Sequence, residues 1–101
     1  MGLEEHWAIT FASRRELSHG EMSEIAKRAG YAVALVGKTA GMQRWDYRLY
    51  ANDRNALSEE GLQFLRKKEM TPFLSNSRYK DLVEKAFPDK DQRIAEFFRN
   101  P

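Results

Sequence analysis

A chain of 101 residues with 42% hydrophobic and 12% aromatic side chains has material for one compact domain, expected over residues 1–101, and no room for a second. The absence of cysteine excludes disulfides, thiolate chemistry and cysteine-based zinc sites together, and suits a reducing compartment, so a cytoplasmic location is expected. Although the pI is about 9.0, the formal net charge is only +2, which excludes a strongly polycationic surface.

The charges are also interspersed. Residues 1–60 carry eight Lys/Arg against nine Asp/Glu and residues 61–101 nine against six, as on an ordinary solvated face. Glu4 and Glu5 stand where a secretory signal places positive charge, and no apolar run approaches the roughly 18 residues that cross a bilayer. Neither export nor membrane spanning is expected.

In chain order, "WAITFAS" (Trp7 to Ser13) alternates Trp7, Ile9 and Phe11 on one side and predicts a strand, although a helix from Leu3 through Trp7 and Phe11 also fits. "SHGE" predicts a capping box: the Ser18 side chain accepts from the Glu21 amide while Glu21 reaches back. Met22, Ile25, Ala26 and Ala29 then form one apolar stripe at helical spacing, and Gly30 stands where a left-handed C-terminal cap is wanted.

The next stretch has two incompatible interpretations. Read as a strand, "AVALV" (Ala32 to Val36) is a short apolar run suited to burial on both faces of a sheet. "GKTAGMQ" then becomes the loop of a hairpin leading to "RWDYRLY", with Trp45, Tyr47 and Leu49 on one face and Arg44, Asp46, Arg48 and Tyr50 on the other.

Alternatively, Met22 to Gly41 resembles the helix-turn-helix of lactose-repressor-type regulators, with Ile25, Ala26, Ala29, Gly30, Tyr31 and Val36 at that family's hydrophobic, alanine and glycine positions. "EIAKRAG" is the close part, and the match covers about 20 of the 101 residues. The resemblance implies a second helix over Ala32 to Gly41 that enters the major groove of DNA, and hence a transcriptional regulator. Such a helix has only Lys38 and Thr39 to hydrogen-bond to a base, and Gly37 and Gly41 each cost it about 1 kcal/mol relative to alanine. The strand is therefore the expectation taken forward.

"ALVGKT" is also similar to the tail of a phosphate-binding loop, but the position of that motif's first glycine holds Ala32.

Leu57 and Leu62 predict a hydrophobic staple around Ser58, opening a helix with Glu59 and Glu60 in its first turn and Arg66, Lys67 and Lys68 near its end, stopped before Pro72. Tyr79, Leu82, Val83, Ala86 and Phe87 predict another helix, ended by Pro88. "DKDQ" caps a last one carrying Ile94, Phe97 and Phe98. The expected fold is α+β in the order β-α-β-β-α-α-α, with a three-stranded, largely antiparallel sheet backed by helices.

No catalytic residue, metal site or cofactor is expected. His6 beside Glu4 and Glu5 fits a terminal surface cluster, His19 lies inside a capping sequence, and neither has a partner at metal-ligand spacing. Asp89 with Asp91, and Glu59 with Glu60, sit at helix starts, where they complement the dipole.

The candidate site is the basic, aromatic face of the hairpin: Lys38, Arg44, Arg48 and Tyr50, residue types that anchor protein interfaces and also stack on unpaired bases. Arg66, Lys67 and Lys68 form a secondary basic patch. The function expected is a small non-catalytic binding module, a regulator or inhibitor that docks on another macromolecule. A protein partner is expected, with nucleic acid as the alternative.

Overall fold

The structure is a computed structural model that describes residues 7–51 and 57–99. His6 with its neighbours Glu4 and Glu5, and Leu3, lie outside the described residues.

Strand β1 (Trp7–Ser13) leads into helix α1 (His19–Ala29), whose start is the capping box written in the sequence. The Glu21 amide donates to Ser18 Oγ at 3.2 Å, and the Ser18 amide donates to Glu21 Oε1 at 3.1 Å. Ile25 and Ala29 of its apolar stripe are buried.

Gly30 follows, but not as a left-handed cap. Its φ of −163° is extended backbone open to any residue. The glycine is required by space, because a Cβ here would collide with the carbonyl oxygen of Tyr50 and press on the Leu49 side chain at 2.8 Å.

Strand β2 (Ala32–Lys38) and strand β3 (Trp45–Tyr50) form the expected hairpin. Helix α2 (Glu59–Lys67) begins at Ser58, whose hydroxyl accepts from the Gly61 amide at 3.0 Å, and the staple residues Leu57 and Leu62 are both buried.

The chain then departs from the expected all-helical C-terminus. Thr71–Ser75 is a strand, β4, ahead of a 3-10 turn (Ser77–Tyr79) and helices α3 (Lys80–Ala86) and α4 (Lys90–Arg99). Among the described residues the order is thus β-α-β-β-α-β-α-α, with four strands rather than three. Pro72 concealed β4, since proline disfavours a strand interior. It is tolerated because β4 lies at the sheet's edge, pairing among the described residues only with β1, where Phe11 stands opposite Pro72.

The sheet order is β2-β3-β1-β4, antiparallel throughout. Consecutive strands β1 and β2 are separated by β3, and β3 and β4 by β1, so two split β-α-β units interlock in the ferredoxin-like arrangement. β1 is therefore central, with Ala8 through Ser13 buried and only its first residue, Trp7, half-buried.

Ile9 and Phe11 stand opposite Leu49 and Tyr47 and share one core cluster with Ile25 and Ala29 of α1 and Leu62 and Leu65 of α2. Val83, Ala86 and Phe87 join it from the α3 end. The two main helices close on each other at Gly61, where a Cβ would stand 2.5 Å from the Cα of Ala29.

Candidate functional site

The hairpin is shaped by one irregularity. Ala32, Val33, Ala34 and Leu35 pair in regular register with Tyr50, Leu49, Arg48 and Tyr47, and the register then shifts at Val36, so that Gly37 faces Asp46 and Lys38 faces Trp45. Paired residues in an antiparallel sheet share a face, so this bulge carries Lys38 to the side of Trp45, away from Arg44, Arg48 and Tyr50. Lys38 Nζ lies 5.1 Å from the Trp45 ring centre. The turn closes through the Thr39 amide donating to the Arg44 carbonyl, with Gly41 at φ +76°.

The other three expected residues share the face opposite the core cluster, each engaged in the fold. The Arg44 guanidinium donates to both Asp46 carboxylate oxygens, at 2.8 and 3.2 Å, and lies 4.1 Å over the Phe73 ring. Phe73 meets Phe97 of α4 edge-on at 5.5 Å. The Arg14 guanidinium covers Phe97 at 4.2 Å and donates to the Glu96 carbonyl. This cation–aromatic chain fixes the last helix to the sheet. Arg48 stands between Thr10 and Ala34, with its guanidinium 5.6 Å from Trp7. Tyr50 is buried.

The secondary basic patch divides in the same way. Arg66 donates through both terminal nitrogens to Asp89, at 2.6 and 3.0 Å, and ties the end of α2 to the start of α4. Lys68 lies 5.7 Å from the Phe64 ring, and Lys67 is exposed.

What the sequence did not single out is β2 itself. Ala32–Val36 is extended as expected, but it is not sealed on both faces, because the strand order places it at an edge. Leu35 is 48% exposed and Val36 55%, adjacent on a strand that, among the described residues, has β3 on one side and no strand on the other. The burial expected of β2 belongs to the central β1. The other large exposed apolar side chains among the described residues, Leu74 and Phe98, belong to β4 and α4.

The charged groups whose acidity the fold displaces are paired at helix starts. A hydrogen bond from Arg15 (2.8 Å to Oε1), then the Ser18 amide, hold the Glu21 carboxyl down to about 2. Asp89 is lowered chiefly by its bond to Arg66. Both shifts keep a carboxylate ionised, whereas a general acid or base needs its acidity moved toward neutrality.

The hollow between α1 and α2, lined by Glu21, Glu24, Ile25, Phe64, Lys68 and Met70, admits little more than a water molecule. Among the described residues no three His, Asp or Glu side chains gather at metal-binding distance, and no helix is long and apolar enough to cross a membrane. Comparison with known protein families, curated proteins and solved structures finds no match.

Proposed function

We propose that the protein is a small non-catalytic binding module, a regulator or inhibitor, that docks on another protein through its β2–β3 hairpin with the open edge of β2 as the contact. The supporting observation is the pair Leu35 and Val36, side by side and about half exposed on an edge with no further strand beside it among the described residues.

An extended partner segment added to such an edge gains main-chain hydrogen bonds for affinity and side-chain contacts for selectivity. An apolar edge left open is an aggregation hazard, and proteins ordinarily blunt it with charge or proline. Ala32 to Val36 carries neither, which fits an edge kept for use. Arg44, Arg48 and Tyr50 act in this proposal by holding the hairpin in place, and Lys38 supplies the cation at the strand's far end. The arrangement of strands itself hosts many unrelated activities and lends no weight to any of them.

Affinity purification from the native host with quantitative mass spectrometry, with and without nuclease, tests the proposal when wild type is compared with Val36→Lys. A protein retained by wild type, lost by Val36→Lys and insensitive to nuclease is the expected result. Retention that nuclease abolishes moves the function to nucleic-acid binding, where affinity falls steeply with salt.

A further inference from the structure

The two ends of the sheet differ in what they accept. Building on the strand-docking proposal above, we infer that in the free protein the β2 edge is occupied by a second copy of the chain, with its own β2 antiparallel to the first, so that two four-stranded sheets join as one.

β4 is a poor acceptor. Pro72 has no N–H to offer, and α4 is stacked on Phe73 through Phe97. Joining β2 of one copy to β4 of the next also leaves unpaired edges that extend into a filament, whereas β2 on β2 closes about a two-fold axis.

Charge favours the same arrangement. The only charged side chain in β2 is Lys38, its last residue. Antiparallel pairing puts the two lysines beyond opposite ends of a joint about 17 Å long, well outside the screening length of about 8 Å, while parallel pairing sets them side by side. A charged partner strand would have to lie against Ala32 to Val36 and lose hydration. A second "AVALV" does not.

The area is adequate for a weak dimer. α1 lies behind β2, and the neighbouring flank of the helix presents small residues, Ser23 and Ala26, with Lys27 beside Gly30 and Tyr31. The run Ala32 to Val36, about 17 Å long and two layers, roughly 20 Å, deep, covers about 340 Å² per copy, or about 700 Å² in all, the size of a weak, transient contact. The bulge at Val36 and the charge of Lys38 end the joint, confining it to a short run. A partner protein and the second copy compete for one edge.

Sedimentation velocity from low micromolar to millimolar protein tests the inference. Wild type is expected to pass reversibly from monomer to dimer, and Leu35→Lys to stay monomeric with an unchanged melting temperature. Because the chain has no cysteine, Ala34→Cys is expected to give a disulfide-linked dimer under mild oxidation and Lys38→Cys to give none. Wild type that stays monomeric throughout, or Leu35→Lys that still dimerises, overturns self-pairing. Loss of the captured protein from Val36→Lys alongside a monomeric wild type sinks the dimer and leaves strand docking standing; capture unchanged in Val36→Lys sinks the docking.

Discussion

The hydroxyl of Tyr47 accepts a hydrogen bond of 2.7 Å from the backbone amide of Leu17, and both residues are buried. The bond ties the segment between β1 and α1 to the middle of β3. Tyr47→Phe keeps the ring, including its stack on Phe11 at 5.6 Å, but leaves a buried amide with no acceptor. The expected cost is about 1–3 kcal/mol, read from urea unfolding, with faster hydrogen exchange at the Leu17 amide as its local signature. A variant as stable as wild type would show that water replaces the hydroxyl.

What the sequence made legible was local. Ser18 with Glu21, Leu57 with Leu62 and the stripe at Ile25 and Ala29 depend on partners three to five residues away, and each is built. What it concealed depends on strand order. β4 exists because Thr71 to Ser75 meets β1, a partner far along the chain, and the proline that argued against a strand is accommodated at an edge. The apolar run in β2 has the composition of a central strand. The interlocked crossovers nevertheless put it outermost, so Leu35 and Val36 face solvent while Ala8 and Ala12 of β1 do not. Likewise the alternation that grouped Arg44, Arg48 and Tyr50 holds, but a one-residue bulge, invisible to periodicity, moved Lys38 off their face.

Helix α2 ends on a residue with a strained backbone. Glu69 has φ +62°, the left-handed region usually given to glycine. Its amide donates to the Arg66 carbonyl and the Met70 amide to the Leu65 carbonyl, the paired bonds of a Schellman cap, with Met70 and Leu65 both buried beneath. Glu69→Gly relieves the side-chain clash and keeps both bonds. Against the added entropy of an unfolded glycine, a net gain of about 0.5–1 kcal/mol is expected in chemical denaturation. A loss instead would mean that the Glu69 side chain contributes more than its backbone costs.

Acid should weaken the fold through Glu21 and Asp89. Both carboxyls have their pKa lowered in the folded state, chiefly by Arg15 and Arg66 respectively, so each adds stability above its unfolded pKa and loses it as pH falls through its folded pKa. For Glu21 that window runs from its ordinary 4.5 down to about 2. Since Glu21 and Arg15 remain 35% and 55% exposed, solvent screening limits the contribution to about 0.5–1 kcal/mol. Glu21→Gln is therefore expected to be less stable than wild type near neutrality and equal to it near the acid end. A difference that persists at the lowest pH would assign the effect to the capping geometry rather than to charge.

Substitutions on the hairpin divide according to what each side chain holds. Arg44 covers Phe73 and is bonded twice to Asp46, so Arg44→Ala uncovers an aromatic ring and removes a cation–π contact, at an expected cost of about 1–2 kcal/mol. Tyr50 is 7% exposed, and its truncation to alanine should cost about 2–4 kcal/mol by opening a cavity where it stands opposite Trp7. Val36→Lys changes a side chain already in water and is expected to stay within about 0.5 kcal/mol of wild type. Urea unfolding of the three variants separates these cases. Partner binding lost in Arg44→Ala or Tyr50→Ala is then ascribed to the hairpin's support, while binding lost in Val36→Lys at full stability assigns the contact to the edge of β2. If Tyr50→Ala unfolds no more easily than wild type, the assignment of Tyr50 to the hairpin's support fails.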